Sequence, residues 1–88
     1  MATTPPIAFS EHAEQQLRER ELPRAVVVQT VRHPDQMVEG HSGRKIAQCV
    51  VRHGSTEWLY RVVYVEEAGT NVVITMYRTT KLSKYRVR

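Results

Sequence analysis

Eighty-eight residues, 41% of them hydrophobic and 25% charged, describe one small domain of ordinary globular composition. One cysteine excludes an internal disulfide, and apolar runs of at most four residues (Ala25–Val28, Val62–Val65) exclude a membrane-spanning helix. The net charge of +4 is uneven, with residues 1–43 balancing to −2 and residues 44–88 to +6, which points to a polyanionic partner on the basic half.

The opening MATTPPIAF has neither a basic n-region nor an apolar h-region, so no secretory leader and a cytoplasmic location are expected. Residues 1–6 read as a flexible lead-in and residues 7–88 as a single domain. Ser10 is a good helix N-cap, and Glu11 and Glu14 suit the positive end of a helix dipole. A first helix is predicted over 10–21, with Ala13 and Leu17 on its buried stripe. The valines of PRAVVVQTVRHP prefer a strand, but Pro23 and Pro34 bracket the segment as a second helix over 23–33. Its buried face is expected to hold Val27, Val28 and Val31.

After Asp35 the period becomes two. A short strand around Met37 and Val38 is followed by a His41-Ser42-Gly43 turn. Strands are predicted over 44–53, 57–65 and 72–78, with a hairpin loop at Glu66–Asn71. Cys49 shares a strand face with Ala47 and Val51 and is expected to be a buried, unreactive side chain. The fold class is therefore α+β: two N-terminal helices packed on one face of an antiparallel sheet of about four strands.

Arg61 lies between Leu59 and Val63 on its strand face, so a cation occupies an apolar row. Such a cation is paired or borders a cleft. Alternation places Val72, Ile74, Met76 and Arg78 on one face, which directs Arg78 into the same cleft. His12 stands in the first turn of the first helix, and histidine is the side-chain type suited to act as a base at neutral pH. The four histidines show neither an i, i+4 pair nor a cysteine partner motif, so no metal and no cofactor are expected. The closing segment sets Arg78, Lys81, Lys84, Arg86 and Arg88 among Thr79, Thr80 and Ser83, with Tyr77 and Tyr85 beside them. Cations and hydroxyls interleaved with aromatics suit RNA backbone and unstacked bases. Lys81 and Tyr85 are expected to fold over the mouth of the cleft.

The blocks FSEHA, HPD, GRKIAQ, LYRVVY and VVITMYRTTK resemble the bacterial domain of unknown function 4258 over roughly residues 7–85. That family looks related to the RelE-like ribonuclease toxins, small α+β proteins that cut RNA without a metal and are restrained by an antitoxin. The resemblance implies functional roles for His12, Arg44, Arg61, Tyr77, Arg78, Thr79, Lys81 and Tyr85. Where relatives place a glycine after the first helix, this chain has Glu21-Leu22-Pro23.

The expected function is metal-independent RNA cleavage by 2′-hydroxyl attack. It has His12, Arg61, Arg78 and Tyr77 as the catalytic set and Arg44, Thr79, Lys81, Lys84 and Tyr85 holding RNA. RNA and a small acidic antitoxin are the expected partners. The alternative is a noncatalytic module that binds RNA or an acidic protein through the same basic face.

Overall fold

The computed structural model describes residues 4–85. The lead-in residues 1–3 and the basic residues Arg86 and Arg88 lie outside the described residues. Strand β1 (Ile7–Phe9) precedes helices α1 (Glu11–Glu19) and α2 (Arg24–Arg32). Strands β2 (Gln36–Glu39), β3 (Lys45–His53), β4 (Thr56–Glu67) and β5 (Thr70–Thr79) follow, and a 3-10 turn, Ser83–Tyr85, comes after them. The sheet order is β1-β5-β4-β3-β2.

The α+β class and the helical pair agree with expectation, but the sheet has five strands and is mixed. The segment Ile7-Ala8-Phe9 pairs parallel with Asn71–Val73 of β5, outside the antiparallel meander. Three residues are too few to display a period in sequence, and their strand state depends on a partner more than sixty positions away. Pro6, assigned to the lead-in, is already tied to the sheet: its carbonyl accepts the Asn71 N–H at 2.9 Å.

Ser10 caps α1 as expected, its Oγ accepting the Ala13 N–H at 3.1 Å. The helix stops at Glu19 because the chain turns back at Glu21, whose φ of +51° lies in the left-handed region. A side chain in that region costs about 1–2 kcal/mol. The turn drives Leu22 into the core, where it is 7% exposed.

The valine-rich segment is a helix, with Pro23 as its N-cap and not its first helical residue. Val27, Thr30 and Val31 are buried and Val28 only partly so. Burial of this face outweighs the strand propensity of valine. Thr30 is satisfied by donating its hydroxyl to the Val26 carbonyl at 2.8 Å.

Ala13, Leu17, Leu22, Val27 and Val31 pack on Ala47, Tyr60, Val62, Tyr64, Val73 and Met76 of the sheet. Beyond Phe9 the outer edge of β5 has no strand partner, and α1 takes over. Gln16, 7% exposed, accepts the Met76 N–H at 3.3 Å and the Thr75 hydroxyl at 2.6 Å. Arg20 donates to the Met76 carbonyl at 2.8 Å. Gln16→Leu is expected to lower unfolding free energy by about 1–3 kcal/mol in urea titration, because it strands a buried backbone N–H. An unchanged midpoint would mean that the edge is satisfied by water.

Two turn details decide which side chains share a face. The expected Glu66–Asn71 loop shrinks to the two residues Ala68 and Gly69, with φ of +51° and +82°, a type I′ geometry matched to strand twist. Between Val63 and Tyr64 the register slips by one, with Val63 opposite Thr75 and Tyr64 opposite Val73. This bulge breaks the expected Val72-Ile74-Met76-Arg78 row: Val73 joins Met76 in the core, and Val72 pairs with Val65.

Candidate functional site

Cross-strand partners share a face of the sheet, so the register sorts the side chains into two sets. The face toward the helices carries Ala47-Val62-Met76 and Cys49-Tyr60-Arg78. The opposite face carries Gln48-Arg61-Tyr77 and Val50-Leu59-Thr79. Leu59 is fully buried on that opposite face, although no helix lies there. Residues Thr80–Lys84 line a groove with Glu57 at one end of this row, and Tyr85 lies on Arg61 at the other. The chain after β5 therefore passes back across Leu59.

Arg61 is half-buried and held by two hydrogen bonds. Its Nε donates to Gln48 Oε1 at 2.6 Å and its Nη1 to the Tyr77 hydroxyl at 2.5 Å. Gln48, fully buried, donates its amide to Gln36 Oε1 at 3.3 Å, which turns its carbonyl oxygen toward Arg61. The guanidinium sits 4.2 Å from the Tyr85 ring centroid and 5.7 Å from that of Tyr77. The two tyrosine rings meet edge to face at 6.3 Å.

Among the described residues the ion pairs are Arg24–Glu14, Lys45–Glu66 and Arg52–Glu57, so no carboxylate neutralises Arg61. The bonds to Gln48 and Tyr77 use two of the five N–H donors of its guanidinium.

The two phenols are pushed apart. Burial, and then the neighbouring Tyr85 hydroxyl, raise Tyr77 above the ordinary tyrosine range. The neighbouring Tyr77 hydroxyl, followed by the Lys84 and Arg61 charges, holds Tyr85 below it. Of the two, Tyr85 is thus the more acidic phenol.

Beside this cluster an open groove of about 730 Å³ runs between the β3–β4 turn and the closing segment. Its walls include Arg52, Glu57, Lys81 and Lys84. Thr79 accepts the Lys81 N–H at 3.1 Å, and the Lys84 ammonium lies 5.5 Å from the Tyr85 ring centroid.

Arg61, Tyr77, Thr79, Lys81, Lys84 and Tyr85 thus come together on one side of the sheet. Three expected members do not. Arg78 is the Cα partner of Tyr60 and faces the helices, because Tyr77, one position earlier, takes the place opposite Arg61. It donates to the Tyr60 hydroxyl at 3.3 Å and covers the Trp58 ring at 4.5 Å. His12 is exposed on α1, on the helix side, and about 12 Å of helical rise before Arg20, which borders Arg78. Arg44 is exposed in the β2–β3 turn, beyond the Lys45–Tyr64 pair and about 13 Å along the strand from Arg61.

Sequence reasoning missed Gln36 and Gln48. The available signal was Gln48 itself, an amide between Ile46 and Val50 on an apolar alternation. Its partner Gln36 carries no such mark.

Cys49 is half-buried, less enclosed than expected, because it lies on β3 where the helices only partly cover the sheet. Burial, followed by the nearby Asp35 carboxylate, pushes its thiol up, so the thiolate is scarce at neutral pH. Labelling of the native protein by a thiol reagent at pH 7 is expected to be at least ~10-fold slower than in urea. Equal rates would contradict the raised value.

Among the described residues no helix is long and apolar enough to cross a membrane, and no cluster of metal-ligating side chains is present. A family model described as a domain of unknown function (DUF4258) matches residues 9–78, a stretch that includes Arg61 and Tyr77 and ends before Tyr85. No curated protein and no solved structure matches the chain.

Proposed function

For this chain, which belongs to the DUF4258 family, we propose metal-independent cleavage of RNA at the Arg61 site, in the manner of the RelE-like toxins it resembles. The observation that carries this reading is a half-buried guanidinium that keeps N–H donors beyond its bonds to Gln48 and Tyr77, has no carboxylate partner among the described residues and packs against two tyrosines. An RNA phosphate supplies the missing charge and an unstacked base suits the aromatic surface.

The geometry moves the proposed chemistry from His12 to the phenols. Tyr85, as phenolate, takes the 2′-hydroxyl proton, and the 2′-oxygen attacks phosphorus. Arg61 steadies the charge that builds on the phosphorane. The P–O5′ bond breaks, O5′ takes a proton from Tyr77, and a 2′,3′-cyclic phosphate remains. Lys81, Lys84 and Arg52 line the path for neighbouring phosphates. A small acidic antitoxin and a cytoplasmic setting complete this reading.

A noncatalytic RNA-binding module is the second reading. It is favoured by one observation: both proton carriers at the site are phenols, mostly protonated at pH 7. Incubating the purified chain with single-stranded RNA in EDTA separates the two. Products ending in 2′,3′-cyclic phosphate support cleavage, and salt-dependent binding without products supports the module. Neither cleavage nor binding would remove both.

A further inference from the structure

On the helix side of the sheet, two open hollows meet at the α1–α2 turn, and Leu22, Trp58 and Arg78 wall both of them. One, of about 460 Å³, adds Arg20 and Tyr77. The other, of about 360 Å³, adds Glu21, Val26 and His53. Both volumes lie within the range of small binding sites.

The floor is apolar, and the rim carries two arginines, Arg20 and Arg78, against one acid, Glu21. Trp58, the one tryptophan of the chain, is half-buried there. Arg78 is exposed and gives one hydrogen bond, to the Tyr60 hydroxyl. Arg20 gives one, to the Met76 carbonyl. Neither arginine takes part in an ion pair among the described residues. Each therefore keeps N–H donors for an acceptor from outside. Tyr77 borders both this cleft and the Arg61 site, but Arg61 itself lies on the other face of the sheet.

We infer that this cleft docks an acidic segment of a protein partner, seating one apolar side chain against Leu22, Val26 and Trp58 and a neighbouring carboxylate on Arg78. The inference is independent of RNA cleavage. A nucleobase fits less well, because the Arg78 guanidinium already covers a face of the Trp58 ring at 4.5 Å. What remains is the ring edge and an aliphatic floor, which suit an apolar side chain. The fork of a guanidinium matches a carboxylate. Tryptophan and arginine are also the residue types that most often carry binding energy at protein interfaces.

The test pans a displayed library of random linear peptides on the full chain. Enriched peptides are expected to place an apolar or aromatic residue beside acids. A synthesised winner should change the fluorescence of Trp58, which reports this cleft alone because the chain has no other tryptophan. Its affinity should fall at least ~10-fold in Arg78→Ala, further in Arg78→Glu, and stay unchanged in Arg61→Ala. Arg78 is exposed, so both variants at that position are expected to fold. Three outcomes overturn the inference: no enriched acidic peptide, binding that ignores Arg78→Ala, or binding lost in Arg61→Ala. A single-stranded RNA that shifts Trp58 fluorescence and depends on Arg78, with no peptide enriched, would assign the cleft to nucleic acid instead.

Discussion

Arg61→Ala is expected to lower single-turnover RNA cleavage at saturating RNA by about 10²–10³, the range typical for loss of one oxyanion donor. The substitution removes the cation that, among the described residues, is fixed against both tyrosines, and Gln48 and Tyr77 lose the group that orders them. Arg61→Lys should recover little, because an ammonium cannot bind Gln48, Tyr77 and a phosphate in one plane. Arg78→Ala and His12→Ala serve as controls. Both residues are exposed and lie on the helix side, so their variants should cleave within a few-fold of the parent. Full activity in Arg61→Ala, or a large loss in His12→Ala, would return the chemistry to the helix side. A circular dichroism melt on each variant separates lost chemistry from lost fold.

Tyr85→Phe is expected to reduce cleavage by about 10²–10⁴, the usual contribution of a positioned proton carrier. Its pH profile carries more information than its magnitude. The working form is the phenolate, so the rate should rise with pH and level off below the ordinary tyrosine value of ~10, since Tyr77 and then the Lys84 and Arg61 cations lower Tyr85. Tyr77 must stay protonated to donate, and its raised value places the falling limb above ~10. Phenylalanine at position 85 should erase the rising limb. Salt should move that limb upward in the parent, because screening weakens the two cationic contributions. A profile that keeps its rising limb in Tyr85→Phe would exclude Tyr85 as the base.

The split between sequence and structure follows the range of the forces involved. Local chemistry was enough for the helices: Ser10 supplies a cap donor–acceptor geometry within four residues, and Pro23 and Pro34 bracket α2 by their own backbone constraints. Alternation, also local, marked β3, β4 and β5 and singled out Arg61 in an apolar row. The basic, tyrosine-bearing end of the chain was visible in composition alone. What composition and period could not give was pairing. The strand at Ile7–Phe9 exists through its parallel partner in β5. The choice of Tyr77 over Arg78 as the neighbour of Arg61 is a matter of one position in the β4–β5 register, and the bulge at Val63/Tyr64 resets that parity along the rest of β5. A slip of one residue sends every side chain to the other face, and the register is fixed by which apolar rows can be buried against the helices, a contest decided across the whole molecule. The return of the closing segment over Leu59, which sets Tyr85 on Arg61, is likewise decided by burial between residues that local sequence never brings together.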